Sequence, residues 1–154
     1  MTIAGLGAYG IVIMAVNATS KSAHDSTMAM LANAVIEQVD STLIGTGQGF
    51  LSDCTGTQFN IDTAPGGAQL TGGIGSDIDF SATPPANYQM DYKVTSPCAA
   101  GATGMTRIYD VRWHVDQIGA AAGTPSNSFL LTIAAKRKGL SLPIHVRVMV
   151  GKAE

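Results

Sequence analysis

The sequence predicts an α+β fold in which a long N-terminal helix packs on an antiparallel sheet of about four strands. Two observations lead to this prediction. Residues 1–40 contain no proline, and their second half carries apolar side chains at helical spacing. Residues 88–151 contain four segments that alternate apolar and polar side chains, which is typical of strands with one buried face. The helix is the only predicted element long enough to cover that face.

The opening segment divides into two halves of different character. Residues 1–16 carry no charge, and the first charged side chain is Lys21. From residue 21 to residue 43, apolar residues recur at steps of three and four, so they form one stripe along a helix. We therefore expect one continuous helix, with an apolar half over residues 1–20 and a one-sided half over residues 21–43. The residues expected at the contact between helix and sheet are Met28, Leu31, Val35, Val39 and Trp113.

The apolar half has three interpretations: a membrane or filament core, a globular core and a signal peptide. A helix that is apolar on every side fits either of the first two. Its sixteen uncharged residues would span roughly 24 Å, which is less than the roughly 30 Å of a hydrocarbon layer. A signal peptide is a further alternative, although no basic residue precedes the apolar run. The residues expected to line a membrane or filament core are Ile3, Leu6, Tyr9, Ile11, Ile13 and Val16.

The composition argues against partners that are recognised by strong charge. The net charge is −2, and charged residues make up 13% of the chain, about half the usual share. We therefore expect no nucleic-acid partner. A neutral surface suits a protein that packs against copies or relatives of itself.

Cys54 and Cys98 predict a disulfide. Both lie in polar segments with glycine, serine or proline, and neither has the spacing of a metal site or of a dithiol redox motif. A cysteine pair in loops is typical of proteins outside the cytoplasm. The alternative is two unpaired thiols in a cytosolic protein.

The region between helix and sheet, residues 44–87, is predicted to be mostly loop. One short strand is expected at residues 58–62, where Phe59 and Ile61 alternate with polar neighbours. Residues 63–86 are rich in glycine and proline. Irregular segments of this length usually bind a ligand or shape an interface; otherwise they are variable surface.

The sheet is predicted over residues 88–151. Its four strands are expected at residues 88–95, 107–118, 128–138 and 144–150. In the second strand, the apolar phase changes between Ile108 and Val111. This change indicates either a bulge or a strand that turns Tyr109 inward.

The residue types needed for catalysis or metal binding do not form a recognisable pattern. Residues 24–25 are a His-Asp pair, but neighbours in a helix do not share a face. His114 and His145 lie on the polar sides of their strands, where they are either solvated or close enough to bind a metal. The two carboxylates of residues 77–79 would suit Ca²⁺, but they lack the ligand series of an EF-hand. Motifs for nucleophiles, phosphate loops and dinucleotides are absent. We predict no enzyme, cofactor, metal or small-molecule substrate.

The order of these parts resembles the type IV pilin and pseudopilin family. Residues 29–41, AMLANAVIEQVDS, are similar to the family's helix continuation. Residues 109–115, YDVRWHV, and residues 130–138, LLTIAAKRK, are similar to its late paired strands. The likeness is greatest to minor pilins of the pilus-modification type. The family usually has glutamate at the fifth mature position where this chain has Gly5, so the pairing role of that carboxylate is not carried over.

The resemblance implies a structural subunit, a minor pilin or pseudopilin, of a type IV pilus or type II secretion filament. Its apolar half would lie in the inner membrane before assembly and in the filament core afterwards, with residues 21–154 as a periplasmic and later filament-borne domain. Its partners would be other pilin or pseudopilin subunits. The alternative is an extracytoplasmic adhesin-like binding module that uses the loop at residues 63–86.

Overall fold

The computed structural model describes residues 22–39, 48–99, 101, 103–119, 128–139 and 142–151. In this part of the chain, a helix α1 over residues 22–39 precedes seven strands. The strands are β1 (Gln48–Ser52), β2 (Gln58–Asp62), β3 (Gly66–Gly67), β4 (Gln89–Thr95), β5 (Thr106–Ile118), β6 (Ser128–Arg137) and β7 (Ile144–Gly151).

The long strand β5 organises the larger of two antiparallel sheets. It pairs with β6, which pairs in turn with β7, and it also pairs with both β3 and β4. The strands β1 and β2 form a separate two-stranded sheet. The indole Nε1 of Trp113 on β5 donates to the carbonyl oxygen of Asp62 at 2.9 Å. This bond joins the end of the small sheet to the core of the large one.

The main core lies between α1 and the inner face of the five-stranded sheet. Met28, Leu31, Val35 and Val39 are each at most 2% exposed, and Trp113 is fully buried among them. Burial of one such aliphatic side chain contributes about 1.5–3 kcal/mol relative to leaving it exposed. The helix is therefore held by its apolar stripe.

The ambiguous phase of β5 is resolved in favour of an inward Tyr109. Tyr109, Val111, Trp113 and Val115 alternate regularly and are each at most 1% exposed. The register with β4 runs without interruption from Gln89 to Thr95. Ile108 therefore belongs to the opposite face, and no bulge is needed there.

The expected fold class, a long N-terminal helix on about four strands, is wrong. The described chain is mostly β, its helix covers residues 22–39, and its strands form a five-stranded sheet and a two-stranded sheet. The expected apolar helix half, residues 1–20, lies outside the described residues, as do residues 40–47. The additional strands β1 and β3 lie in the region predicted to be mostly loop. Their sequences, QGFLS and GG, show no clear alternation of apolar and polar residues. They are strands because they pair with β2 and β5, which a local sequence pattern does not reveal.

A second apolar layer covers the outer face of the five-stranded sheet. Ala68, Ile78 and Ala134 are buried together, with Leu70 and Phe80 packed against them. As a result β6 is buried on both faces over residues 131–135. The segment between β3 and β4 is thus a packed layer and not a free loop.

Candidate functional site

The candidate interaction surface is the solvent-facing side of α1, which we call the outer helix face. Met30 is 58% exposed at its centre. The face forms a shallow depression lined by Ser26, Ala29, Met30, Asn33, Ala34 and Glu37. Most of these side chains are small or uncharged, so another helix or strand could approach closely.

The small sheet packs beside the C-terminal part of α1. A Cβ atom at Gly49 of β1 would lie 2.6 Å from Cγ of Gln38, so the backbone of β1 lies against that side chain. Ile61 of β2 is buried in the same core cluster as the apolar stripe of the helix.

The disulfide joins the small sheet to the large one. Cys54, just after β1, is bonded to Cys98, which follows β4, with an S–S distance of 2.01 Å. The turn that carries Cys54 is shaped by Asp53, whose Oδ1 accepts from the backbone N–H groups of Thr55 at 2.8 Å and Thr57 at 2.9 Å. Burial acts to raise the pKa of Asp53, but these bonds and that from the Thr55 hydroxyl hold it below its usual value.

Arg112 anchors the outer layer to the sheet. Its Nη1 donates to the carbonyl oxygens of Ala82 at 2.8 Å and Asp79 at 3.3 Å. Its Nε and Nη2 bind the carboxylate of Asp110 at 2.9 Å and 2.8 Å, and its guanidinium lies 4.8 Å from the ring centre of Phe80. Arg112 is only 8% exposed, and burial of an unpaired cation would be costly. The carboxylate of Asp110 and the carbonyl oxygens of the outer layer supply the hydrogen-bond acceptors that the buried guanidinium needs.

The two strand histidines lie on the outer face but are not neighbours. Nδ1 of His114 donates to the carbonyl oxygen of Ala68 at 2.7 Å, and its Nε2 lies 3.3 Å from Asp116. Nδ1 of His145 lies 3.4 Å from Asp77, and burial lowers the pKa of His145 although Asp77 opposes this. On β6, Thr132 stands opposite His114 whereas Ala134 stands opposite His145. Among the described residues, no three potential ligands converge as a metal site.

The two carboxylates of residues 77–79 bind different partners. Asp77 is bound by Arg147 of β7. Asp79 accepts from the backbone and the hydroxyl of Ser81 at 2.8 Å and 2.6 Å, and these bonds lower the pKa of Asp79. Both carboxylates are therefore used in contacts of the outer layer.

His24 is the residue whose surroundings the sequence interpretation missed. It is 5% exposed, and its Nε2 accepts from Arg137 while Nδ1 lies 3.4 Å from the hydroxyl of Tyr109. Its position four residues before Met28 places it on the buried stripe of α1, so the helical spacing does carry a signal for its burial. Nothing in the local sequence indicates its partners on β5 and β6.

The predicted membrane or filament residues Ile3, Leu6, Tyr9, Ile11, Ile13 and Val16 lie outside the described residues. Within the part of the chain that is described, no helix combines the length and hydrophobicity required to cross a bilayer. Comparisons with protein-family models, with curated proteins and with solved structures found no match.

Proposed function

We propose that this chain is a structural subunit of an extracytoplasmic filament, of the minor pilin or pseudopilin kind. It assembles through its apolar N-terminal segment together with the outer helix face. The observation that carries this proposal is the continuity of the two: the uncharged residues 1–16 lead, within a few residues, into a helix whose second side is left to solvent.

The outer helix face is suited to contact with another subunit. Its centre is the exposed Met30, and small residues flank it at Ala29 and Ala34. Burial of apolar surface contributes roughly 25 cal/mol per Å². Glu37 is the one charged group among the residues that line it, so little desolvation opposes association.

The disulfide supports a location outside the cytoplasm. A bond between Cys54 and Cys98 persists in an oxidising compartment and is rare in a reducing one. In the same proposal, the apolar segment lies in the inner membrane before assembly, and the domain faces the periplasm.

The alternative, an adhesin-like module that binds through residues 63–86, has weaker support. Arg112 and His114 hold much of that segment against the sheet, and its own Ile78 is buried against Ala134 of β6. Its most exposed apolar residue is Ile74, which is 65% exposed. Such a module would need neither the apolar residues 1–16 nor the outer helix face.

The experiment compares the oxidised full chain with a variant that lacks residues 1–20. We expect the full chain to require detergent and to self-associate, whereas the shortened chain should be a soluble monomer with the same near-ultraviolet circular dichroism. A full-length variant with Ile11→Lys and Ile13→Lys is the matched control, because it removes the apolar character but keeps the length. Unfolding of the shortened chain would mean that the segment belongs to a globular core. A full chain that is monomeric in plain buffer would favour the binding module.

A further inference from the structure

We propose that Arg107 and Arg137, which lie beside His24, form an anion site that takes the phosphate of a membrane lipid headgroup. We call these three residues the basic cluster. The inference rests on the proposed function, because it requires the apolar residues 1–16 to lie in a bilayer.

The three residues meet where α1 crosses the end of the inner sheet face. Arg137 donates to Nε2 of His24, and Tyr109 stands opposite Arg137 in the strand register. Arg107 lies two residues before Tyr109 on β5 and so projects from the same face. Burial, and then the charges of Arg137 and Arg107, lower the pKa of His24, whereas the charge of Asp25 opposes this shift. The two guanidinium groups are charged at neutral pH and give the cluster its positive potential.

No carboxylate among the described residues forms a salt bridge with Arg107 or Arg137. The chain's two other arginines are each paired, Arg112 with Asp110 and Arg147 with Asp77. Asp25 follows His24 directly, but it is exposed, and adjacent residues on a helix point to different sides. Both guanidinium groups thus lack a salt bridge to the described carboxylates, and Asp25 acts on the cluster only as a nearby charge.

The donors of the cluster suit a phosphate. Nε of Arg107 is buried and has no hydrogen-bond partner among the described residues, which is a costly state that a bound acceptor would relieve. A planar guanidinium matches two oxygens of a phosphate at once. Arg107 and Arg137 are only partly buried, so an external group can reach them.

The position of the cluster along the chain selects a lipid as the source. His24 follows Val16, the end of the apolar run, by eight residues. Residues 1–24 contain no acidic side chain. A segment that leaves the hydrocarbon layer at this point places the cluster at the level of the headgroup phosphates.

The test measures binding of the full chain to vesicles of phosphatidylcholine and to vesicles that also contain phosphatidylglycerol. Basic residues near an anionic membrane each strengthen binding roughly fivefold. We expect the variant Arg107→Gln with Arg137→Gln to lose about tenfold or more of its affinity for the anionic vesicles. The matched control is Lys136→Gln with Lys138→Gln, which removes the same formal charge from the same end of β6. Lys138 is already paired with Asp91, and Lys136 lies over Phe80 of the outer layer, so neither belongs to the basic cluster. This control should therefore lose clearly less affinity than the arginine variant. Near-ultraviolet circular dichroism verifies the fold of each variant.

A second measurement needs no substitution. In vesicles containing the wild-type chain, with ¹³C at the arginine guanidinium carbons, dipolar coupling to lipid ³¹P should report a direct contact. Absence of that coupling, or equal losses in the arginine and lysine variants, would overturn the lipid site.

The remaining outcomes separate the possible ligands and the two proposals. Inorganic phosphate serves as the competitor for the site. If it removed the preference for anionic vesicles where chloride at equal ionic strength did not, the ligand would be free phosphate and the lipid assignment would be overturned. Arginine substitutions that abolish self-association but not lipid preference would identify a carboxylate of a second copy instead. Failure of the wild-type chain to bind phosphatidylcholine vesicles would refute the proposed function, whereas binding with no anionic preference would refute only the lipid site.

Discussion

At the scale of single residues, Gly67 in β3 is a position where a side chain meets both backbone strain and a close contact. Its φ angle is 127°, a region that residues with a side chain rarely adopt. A Cβ atom there would lie 2.5 Å from the carbonyl oxygen of Trp113 and 2.8 Å from Cδ1 of Tyr88. That carbonyl also accepts from Ala68 N–H at 2.9 Å, so it cannot easily move aside.

We predict that Gly67→Ala lowers the free energy of unfolding by about 3 kcal/mol or more, since backbone strain of about 1–3 kcal/mol adds to a clash of similar size. The matched control is Gly66→Ala. Gly66 has a φ angle of 120°, but its Cβ atom would meet no described atom within 4 Å, so only the strain applies. Urea denaturation of both variants measures the difference, and equal losses would contradict the close approach.

His24 makes the stability depend on pH. Burial and the two nearby arginines lower the pKa of His24 in the folded chain relative to its ordinary value of 6.5. Burial lowers the pKa of His145 in the same direction. The unfolded chain therefore binds protons at a higher pH than the folded chain does.

We predict that stability is greatest above pH 6.5 and falls as the pH decreases from 6.5 through the lowered pKa of His24. The measurement is the free energy of unfolding between pH 7.5 and pH 5. The variant His24→Gln should lose less stability over this pH range than the wild-type chain. The variant His145→Gln should keep the part of the pH-dependent loss that comes from His24. A decrease that survives unchanged in the double variant would assign the pH dependence to other groups.

At the scale of elements, the outer layer covers the part of the second sheet face that lies over β6, whereas Met149 on β7 stays 59% exposed. The segment between β3 and β4 packs Ile78 against Ala134, and Arg112 binds its carbonyl oxygens. The disulfide plays the corresponding part for the two-stranded sheet. Its sequence separation of 44 residues corresponds to about 4 kcal/mol in the chain-entropy model.

We predict that Arg112→Met releases the outer layer and costs about 3 kcal/mol of stability, because Asp110 then loses its cation and two carbonyl groups lose their donor. Chymotrypsin should then cleave after Leu70 or Phe80 in the native protein. Arg147→Met is the control, since Arg147 and its partner Asp77 are 39% and 56% exposed and such pairs contribute about 1 kcal/mol or less. Equal protection of both variants would show that apolar packing alone holds the layer.

At the scale of the whole molecule, one side of α1 packs in the core and the other faces solvent. Its inner stripe, which includes Leu31 and Val35, closes the core. Its outer helix face contributes little to that core and is the surface that the proposed assembly uses. Stability and association should therefore respond to different substitutions.

We predict that Ala34→Glu on the outer helix face weakens self-association of the detergent-solubilised full chain by at least tenfold and changes stability by less than about 0.5 kcal/mol. Gln58→Glu, at an exposed position of β2, is the control with the same added charge. Analytical ultracentrifugation and urea denaturation measure the two quantities. Association that is unchanged by Ala34→Glu would place the subunit contact elsewhere.

The helix stripe and four of the strands could be predicted from short stretches of sequence. The spacing of Met28, Leu31 and Val35 indicates the buried stripe of α1, and alternation indicates the four segments that the structure contains as β4 to β7. Periodicity works here because each such pattern needs only one apolar face and a few consecutive residues.

Contacts between residues far apart in the sequence could not be predicted in this way and depend on the tertiary fold. The strand β3 is two glycines that pair with Val115 and His114, and no pattern within two residues can predict a strand. The contact of His24 with Arg137 joins residues 113 positions apart, and that of Arg112 with Ala82 joins residues 30 apart. Such contacts form when the sheet brings strand ends together, so the covered outer face and the basic cluster are properties of the assembled fold and not of any local segment.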